Sequence, residues 1–251
     1  MTTARKDWIF LGVFWVLLTA IGEAMVSKWH LLPAGYARES EVGDDAYKLL
    51  IRLAVPVFAG VSACLLTILI RQVDRRVHDD SFAAPDDGPH VRTNRRLVPV
   101  WIGVSGVMAI GLAINPGFVG LRDIRGESRA DLVVSVQAQR WSWQFTYPGG
   151  EVSTTELVLP IDQRVRFDLT SIDVIHSFWI PGFRIKLDNV PGRTTQLYIT
   201  PDREGDGTHD STLRVQCAEL CGSGHAAMSV PVRIVSEADY EAWLASLRKE
   251  S

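Results

Sequence analysis

Cysteine is scarce in this chain of 251 residues, with only three copies. That number is too small for a secreted scaffold held together by disulfides. Basic side chains number 26 against 29 acidic ones, so the chain lacks the overall positive charge that favours nucleic acid as a partner. No Cys-x-x-Cys-His motif occurs, which excludes a covalently attached c-type haem in this sequence. The 47% of hydrophobic residues also excludes a disordered or collagen-like chain.

Long uncharged runs are the most prominent feature that is present. Residues 53–70 and 97–114 are each 18 residues long and carry no charged side chain. A helix needs about 20 apolar residues to cross a hydrocarbon core of about 30 Å. Both runs therefore predict transmembrane helices, and a buried core helix is the alternative for each. Pro56 and Pro99 lie near the starts of these runs, where a helix tolerates proline best.

The first apolar run, residues 8–26, allows two interpretations. Arg5 and Lys6 precede it, and the small residues Gly22 and Ala24 lie near its end. This arrangement fits a signal peptide cleaved after Ala24. It fits a third retained span equally well, and topology does not decide, because both place the following segment outside.

Charge distribution orients the chain in the membrane. The segment 71–96 holds six arginines: Arg71, Arg75, Arg76, Arg92, Arg95 and Arg96. The positive-inside rule assigns this segment to the cytoplasm. The sequence therefore predicts a membrane anchor over residues 1–121 and an exterior domain over residues 122–251. The anchor has a net charge of +1 and the exterior domain a net charge of −4.

The exterior domain has the pattern of a small antiparallel β-sandwich. Seven short alternating segments are separated by turn residues such as Pro148-Gly149-Gly150. These segments are 132–136, 141–145, 156–159, 164–167, 196–199, 213–215 and 230–234. Their number and spacing predict a Greek-key sandwich. Ser236 and Asp239 form a capping box that predicts a short C-terminal helix ending at Leu247.

Metal-ligating residues are concentrated in one 12-residue stretch. Cys217, Cys221, His225 and Met228 supply two thiols, an imidazole and a thioether. This is a soft ligand set, which suits copper. A one-copper electron-transfer site uses two His, one Cys and a weak Met, so the second Cys would let bridging thiolates hold a second metal ion. His176, upstream, is the candidate for the second imidazole.

Two simpler interpretations of the cysteine pair remain open. Two cysteines outside the membrane form a disulfide by default. The spacing is also compatible with zinc, although Met is an unusual ligand for zinc. The neighbouring His225 and Met228 favour copper over both.

At this point the sequence resembles the cytochrome c oxidase subunit II family. The resemblance is carried by the pattern Cys-x-Glu-x-Cys-x-x-x-His-x-x-Met, with Asp-Val-x-His-Ser upstream. It continues in residues 141–147 and 186–193 and extends roughly from residue 97 to residue 243. The resemblance implies a cupredoxin-like domain on a membrane anchor, with a binuclear copper centre known as CuA.

The family pattern implies a role for each ligand. The implied ligands are His176, Cys217, Cys221, His225, Met228 and the backbone carbonyl of Glu219. The two cysteines would bridge both coppers, and each histidine would bind one. Met228 and the Glu219 carbonyl would be weak ligands of different coppers. The Glu219 carboxylate would point to a magnesium ion at the interface with subunit I.

The resemblance also implies the activity. The domain would accept electrons from a c-type cytochrome at Trp141 and pass them to haem in subunit I of a proton-translocating oxidase. It would lie on the periplasmic side of a bacterial-type inner membrane. Asp173 corresponds to a docking acid for the cytochrome, and the net negative charge fits steering of a basic partner. For Trp141, the alternative is a tryptophan in the sandwich core.

Two features depart from the family pattern, and two alternative functions remain. The first apolar run is additional to the usual two spans. The stretch before residue 97 has no carboxylate nearer than Asp86 and Asp87, which puts a direct proton-uptake role in doubt. The copper subunit of a nitric-oxide reductase shares the ligand set and is the alternative function. A copper-delivery or copper-sensing protein without a redox partner is a third hypothesis.

Overall fold

Three long helices form the N-terminal part of the chain. The computed structural model describes residues 3–29, 32–78, 96–125 and 129–250. Within them, α1 covers Thr3–Lys28, α2 covers Arg38–His78 and α3 covers Leu97–Leu112. The stretches Asp7–Lys28, Arg38–Arg71 and Val98–Arg122 are long and apolar enough to cross a membrane by length and composition. The predicted apolar helices are confirmed, whereas most of the predicted cytoplasmic loop 71–96 lies outside the described residues.

Helix α1 contacts α2 at three levels. Asp7 forms an ion pair of 2.9 Å with Arg71. The indole Nε1 of Trp15 donates a hydrogen bond of 2.8 Å to the carbonyl oxygen of Pro56. Gly22 lies so close to α2 that an added Cβ would come within 2.7 Å of Val55 Cγ1. Small residues and interhelical hydrogen bonds are the usual means by which membrane helices recognise each other.

The helical region ends at a backbone break. Asn115 has an extended conformation, with φ −137° and ψ 115°, directly before Pro116. Proline disfavours the helical conformation for the residue that precedes it. Pro116 therefore accounts for the non-helical conformation of Asn115. A short helix, α4 (Val119–Arg125), follows it.

Residues beyond 129 form a β-sandwich of eleven strands and a C-terminal helix. The strands in chain order are β1 Leu132–Gln139, β2 Ser142–Thr146, β3 Val152–Ser153, β4 Leu157–Pro160, β5 Val165–Ser171, β6 His176–Ile180, β7 Ile185–Asn189, β8 Thr195–Ile199, β9 Gly205–Asp206, β10 Arg214–Cys217 and β11 Ser229–Val235. One sheet has the order β3-β2-β1-β5-β8. The other has the order β4-β11-β10-β6-β7, with β9 paired to β11.

The sandwich is confirmed, but the expectation of purely antiparallel pairing is wrong. Strands β1 and β5 pair in parallel, and so do β4 and β11. Parallel neighbours require crossover connections rather than tight hairpins. The pair β1 and β5 lies in one sheet, and the pair β4 and β11 lies in the other.

The core lies between the two sheets and contains large aromatic side chains. Strand β5 alternates buried and half-buried residues along its length, as expected when one face covers a core. Trp143 is 1% exposed and packs its ring edge-on against Phe178, with ring centroids 5.9 Å apart. Phe167 in turn contacts Phe178 at 5.1 Å.

Helix α5 (Glu237–Glu250) closes the chain. Its N-terminus has the predicted cap, because the amide of Asp239 donates to the Ser236 hydroxyl at 3.2 Å. The helix extends three residues beyond the predicted end. The indole of Trp243 donates to the Glu156 carboxylate at 2.8 Å, which holds α5 on the sandwich.

Residues 32–45 pack on the sandwich, although they come before the apolar run 53–70 in the chain. The chain forms two compact units, Met1–Leu31 with Ala46–Asn115, and Leu32–Asp45 with Pro116–Ser251. Ala37 forms a β-bridge with Pro201. Glu39, 5% exposed, accepts hydrogen bonds from the Thr200 amide at 2.8 Å and from Arg164 at 3.0 Å. The sequence placed these residues with the anchor, and this tertiary packing was not predicted.

Candidate metal centre

Two neighbouring strands bring the first ligands together. His176 begins β6, Cys217 ends β10, and these strands pair antiparallel. His176 Nδ1 lies 3.8 Å from Cys217 Sγ. The ligand atoms of His176, Cys217 and Cys221 all lie within 4.8 Å of one another, and all three residues are buried. His176 and Cys217 are 41 residues apart in the chain, and the pairing of β6 with β10 brings them together.

The two cysteines face each other as free thiols. Their sulfur atoms are 3.7 Å apart, far longer than the disulfide bond length of about 2.05 Å. Thiolate–metal bonds are about 2.3 Å long, so both sulfurs can contact an ion that lies between them. The geometry favours the metal interpretation of this pair over the disulfide interpretation.

The loop after β10 supplies the remaining predicted ligands. His225 begins a single 3₁₀ turn, and its Nδ1 lies 3.6 Å from Cys221 Sγ. Met228 is 1% exposed, and its sulfur lies 3.9 Å from Cys221 Sγ. The Glu219 carbonyl oxygen lies 3.2 Å from Cys217 Sγ. The structure thus brings every predicted ligand to the two sulfurs.

The donor set fits copper chemically. Two thiols and a thioether are soft donors and two imidazoles are borderline donors, a combination that suits copper. Burial, with a hydrogen bond to Cys217, raises the pKa of the Cys221 thiol to about 11 in the metal-free protein. A metal ion must displace that proton to bind, so uptake of metal releases protons.

Asp173 holds the outer side of the His176 ring. Its Oδ1 lies 2.9 Å from His176 Nε2, which leaves Nδ1 facing the thiols. Burial alone would raise the pKa of Asp173. Hydrogen bonds from His176, from the backbone and from Arg140 outweigh burial and hold that pKa well below its usual range.

Trp143 is a further neighbour of the site whose contacts the sequence did not predict. Its Nε1 donates to the Met228 carbonyl at 3.4 Å, and its ring meets the His176 ring edge-on at 6.3 Å. The Met228 carbonyl also accepts from the Cys217 amide at 3.1 Å. The alternation of residues along the segment 141–145 indicates that one face of the strand is buried, but it does not indicate which ligands Trp143 contacts.

Trp141 lies in the turn between β1 and β2 and covers the ligand loop. Its side chain is 44% exposed, so it does not belong to the core. A Cβ added at Gly222 would lie 3.3 Å from Trp141 Cζ2, and one added at Gly224 would lie under 3.0 Å from the ring. Gly222 also has φ +125°, a conformation that favours glycine. These glycines allow the indole to rest directly on the loop backbone.

The acidic residues of the exterior domain differ in their hydrogen bonding. Asp206 accepts from the Thr208 amide and hydroxyl, both at 2.7 Å. Asp210 accepts from the Tyr36 hydroxyl at 2.8 Å. The amide and hydroxyl of Thr208 lower the pKa of Asp206. The Thr212 amide, followed by the Tyr36 and Thr212 hydroxyls, lowers the pKa of Asp210. Asp202 and Glu219 are exposed.

Together, the fold and the site define a membrane-anchored cupredoxin-like protein with a buried cysteine–histidine–methionine site. Residues 150–235 match the sequence profile of the family described as "Cytochrome C oxidase subunit II, periplasmic domain". Cytochrome c oxidase subunit 2 of Bacillus subtilis is 31% identical, over 97% of this chain and 69% of that protein. The protein of the same name from Thermostichus vulcanus is 26% identical, over 91% of this chain and 84% of its own length.

A solved structure with a similar domain is the periplasmic domain of cytochrome oxidase subunit II from Bradyrhizobium japonicum. Its sequence is 28% identical and the TM-score is 0.45. The matched region covers 49% of this chain and 96% of the Bradyrhizobium chain. The chain belongs to the cytochrome c oxidase subunit II family, and it is therefore a subunit of a haem-copper terminal oxidase, which is an oxidoreductase. The oxidase relatives do not favour the nitric-oxide reductase alternative.

Proposed function

We propose that this chain accepts electrons from a c-type cytochrome at a binuclear copper centre and passes them to haem in subunit I, where oxygen is reduced to water. The observation that carries the proposal is the convergence of the predicted ligands on two free thiols 3.7 Å apart. His176 lies beside one sulfur and His225 beside the other. This pairing supports one histidine ligand for each copper, with both cysteines shared.

Bound copper would supply one-electron redox chemistry, shared over two thiolate-bridged ions. The protein's part is to hold the donor atoms in nearly one geometry in both redox states. His176 and Cys217 belong to paired strands, and Met228 is fixed by two hydrogen bonds to its carbonyl. Such preorganisation lowers the reorganisation that accompanies electron transfer.

Trp141 is the proposed residue at which electrons arrive. It is exposed on one side and lies on the ligand loop on the other. Large exposed apolar residues also flank the ligands in sequence: Ile172, Ile175 and Leu220. An apolar surface around a conducting side chain suits close, transient contact with a partner protein.

The membrane location follows from the anchor and from the family. We place the helices in a bacterial-type inner membrane and the sandwich on the periplasmic side. Subunit I would contact part of the sandwich on the periplasmic side. The proposed magnesium ion at that interface is supported only by the exposure of the Glu219 carboxylate.

Electron paramagnetic resonance of the copper-loaded full-length chain tests the proposal. We expect an unpaired electron split equally by two copper nuclei. The full chain is required, because a fragment starting at residue 122 would lose Glu39, the buried partner of Arg164.

Cys64→Ser is the matched control, since Cys64 is a free thiol in α2 outside the site, and this variant should keep the signal. A one-copper signal would show that a ligand is assigned wrongly. A silent spectrum with no reactive thiols at Cys217 and Cys221 would contradict the copper centre.

A further inference from the structure

Trp141 lies on the loop that carries Glu219, Cys221 and His225. We propose that Trp141 clamps this ligand loop, residues 218–227, over the buried thiols, and that the clamp controls how fast metal ions and thiol reagents reach them. The role is additional to electron entry, because it concerns the capture and retention of copper. It rests on the proposed copper centre, but the contact itself can be tested in the metal-free protein.

The proposed ligands are closed off from solvent. Four of the side-chain ligands are buried: His176, Cys217, Cys221 and Met228. The remaining one, His225, is half-buried and belongs to the ligand loop. The strands that hold His176 and Cys217 are part of the sandwich and stay in place. An ion or a reagent therefore reaches the two sulfurs when the ligand loop opens.

Backbone hydrogen bonds tie the ligand loop to the strands near its two ends. At one end, the Ala218 amide donates to the Ser177 carbonyl at 2.9 Å. At the other end, the Met228 carbonyl accepts from the backbone of β10 at 3.1 Å. Among the described residues, the backbone bonds between these two points link residues only three apart. A segment with so few bonds to the rest of the fold opens locally at low cost, so side-chain packing has to keep it closed.

Trp141 supplies this packing. A Cβ built on Gly222 would lie 3.3 Å from the indole, and one built on Gly224 would lie under 3.0 Å from it. At both positions the three nearest atoms beyond the adjoining residues all belong to Trp141. The ring thus covers the residue after Cys221 and the residue before His225. Covering apolar ring surface in this way favours the closed loop over the open one.

Alkylation of the metal-free full-length chain by iodoacetamide measures access to the thiols. A Cys64→Ser background leaves Cys217 and Cys221 as the only cysteines. We expect Trp141→Ala to react about tenfold faster or more, and Trp141→Phe, which keeps a ring on the loop, to stay within about threefold of the unsubstituted protein. Leu220→Ala is the matched control, since this loop side chain is 78% exposed, and it should not change the rate. An unchanged rate in Trp141→Ala would overturn the proposal.

Gly224→Ala tests the same contact without altering Trp141. Gly224 has φ −89° and ψ 7°, a turn conformation that most residues adopt, so the added methyl group acts through the indole. We expect alkylation to become about tenfold faster here too. The double variant should be no faster than Trp141→Ala, because both changes break one contact. Additive effects, or an unchanged rate in Gly224→Ala, would contradict the clamp.

Amide hydrogen exchange in the metal-free chain shows where the protein opens. The amides of His225 and Ala227 bond within the ligand loop. We expect both to exchange about tenfold faster in Trp141→Ala, while the amides of β5 keep their rates. Faster exchange throughout the sandwich would show a general loss of stability and would contradict a clamp that acts on the loop.

Release of copper tests the consequence for the metal. The copper-loaded full-length chain is reduced with ascorbate and mixed with an excess of a Cu(I) chelator. We expect Trp141→Ala to lose copper about tenfold faster or more, although its two-copper paramagnetic signal before reduction matches that of the unsubstituted protein. Equal release rates would overturn the proposal. An unsubstituted chain without a two-copper signal would contradict the proposed function, while alkylation and amide exchange would still decide the clamp.

Discussion

The proposed ligands of the site come from two regions that are constrained very differently. His176 and Cys217 belong to paired strands, and His176 is fully buried beneath Trp143. His225 is half-buried and lies in one 3₁₀ turn, where the backbone bonds link residues only three apart. The strand region is shaped by the sandwich itself. The loop region depends on local turns and, when metal is bound, on the metal.

The two regions meet at Met228. Its carbonyl accepts hydrogen bonds from the Cys217 amide and from Trp143, so the end of the loop is tied to the strands. The least constrained ligands are therefore those between residues 218 and 225. Cys217→Ser tests the connection between the two regions, whereas His176→Ala and His225→Ala compare them.

The largest expected effect is the loss of the binuclear centre in Cys217→Ser. Its sulfur lies between His176 on the strand side and Cys221 on the loop side, so its removal should disconnect the two regions. Paramagnetic resonance should show no two-copper signal. A variant that keeps the equal splitting would refute the assignment of Cys217 as a bridging ligand.

His176→Ala and His225→Ala should differ in their effect on the metal-free protein. Removing the buried His176 ring leaves a cavity and an unsatisfied Asp173, which we expect to cost about 2–4 kcal/mol of stability. Removing the half-buried His225 should cost less than about 1 kcal/mol. Thermal unfolding of the apo chain in detergent, monitored by tryptophan fluorescence, measures both. Equal losses would show that the loop is as tightly constrained as the strands.

Trp141→Phe should slow electron transfer without changing the copper spectrum. A smaller ring covers less of Gly222 and Gly224 and presents less surface to the cytochrome. We expect a decrease of roughly tenfold, equivalent to about 1.4 kcal/mol in barrier height. Stopped-flow oxidation of reduced cytochrome c by the assembled oxidase measures this rate. Kinetics identical to those of the wild type would show that Trp141 does not lie on the path of electron transfer.

The smallest expected effect concerns alkaline pH and the loop cysteine. Burial raises the pKa of Cys221 to about 11, above the ordinary thiol value of 9.0. The folded apo protein thus favours the neutral thiol, and this contribution to stability is complete below about pH 9 and is lost as the pH rises towards about 11.

Unfolding of the apo chain between about pH 8 and about pH 11 should show this loss. The Cys221→Ser variant should show less of it. If both proteins lost stability equally, other groups would be responsible for the alkaline effect.

The sequence indicated the proximity of the proposed ligands more directly than it indicated the strands. Cys217, Cys221, His225 and Met228 are close in sequence, so their proximity is a local property. Strand β6 was not predicted, because its residues are buried almost throughout and show no polar–apolar alternation. The structure places His176 at the start of β6, and the predicted strand segments did not include it.

Contacts between distant segments were beyond the sequence patterns. Glu39 and Arg164 are 125 residues apart in the chain, and neither has a local motif that indicates its partner. The same holds for Trp143, because no local motif indicates its hydrogen bond to the Met228 carbonyl. Periodicity shows which face of a strand is buried, and it does not show what the buried group touches.

The hydrogen bond from Trp15 to the Pro56 carbonyl has a consequence for biosynthesis. Apolar side chains provide little driving force for two helices to associate within lipid. An interhelical hydrogen bond favours their association. The ion pair between Asp7 and Arg71 marks the other end of the same helical hairpin. With α1 retained as a span, α1 and α2 could associate in the bilayer before any sandwich strand has been synthesised.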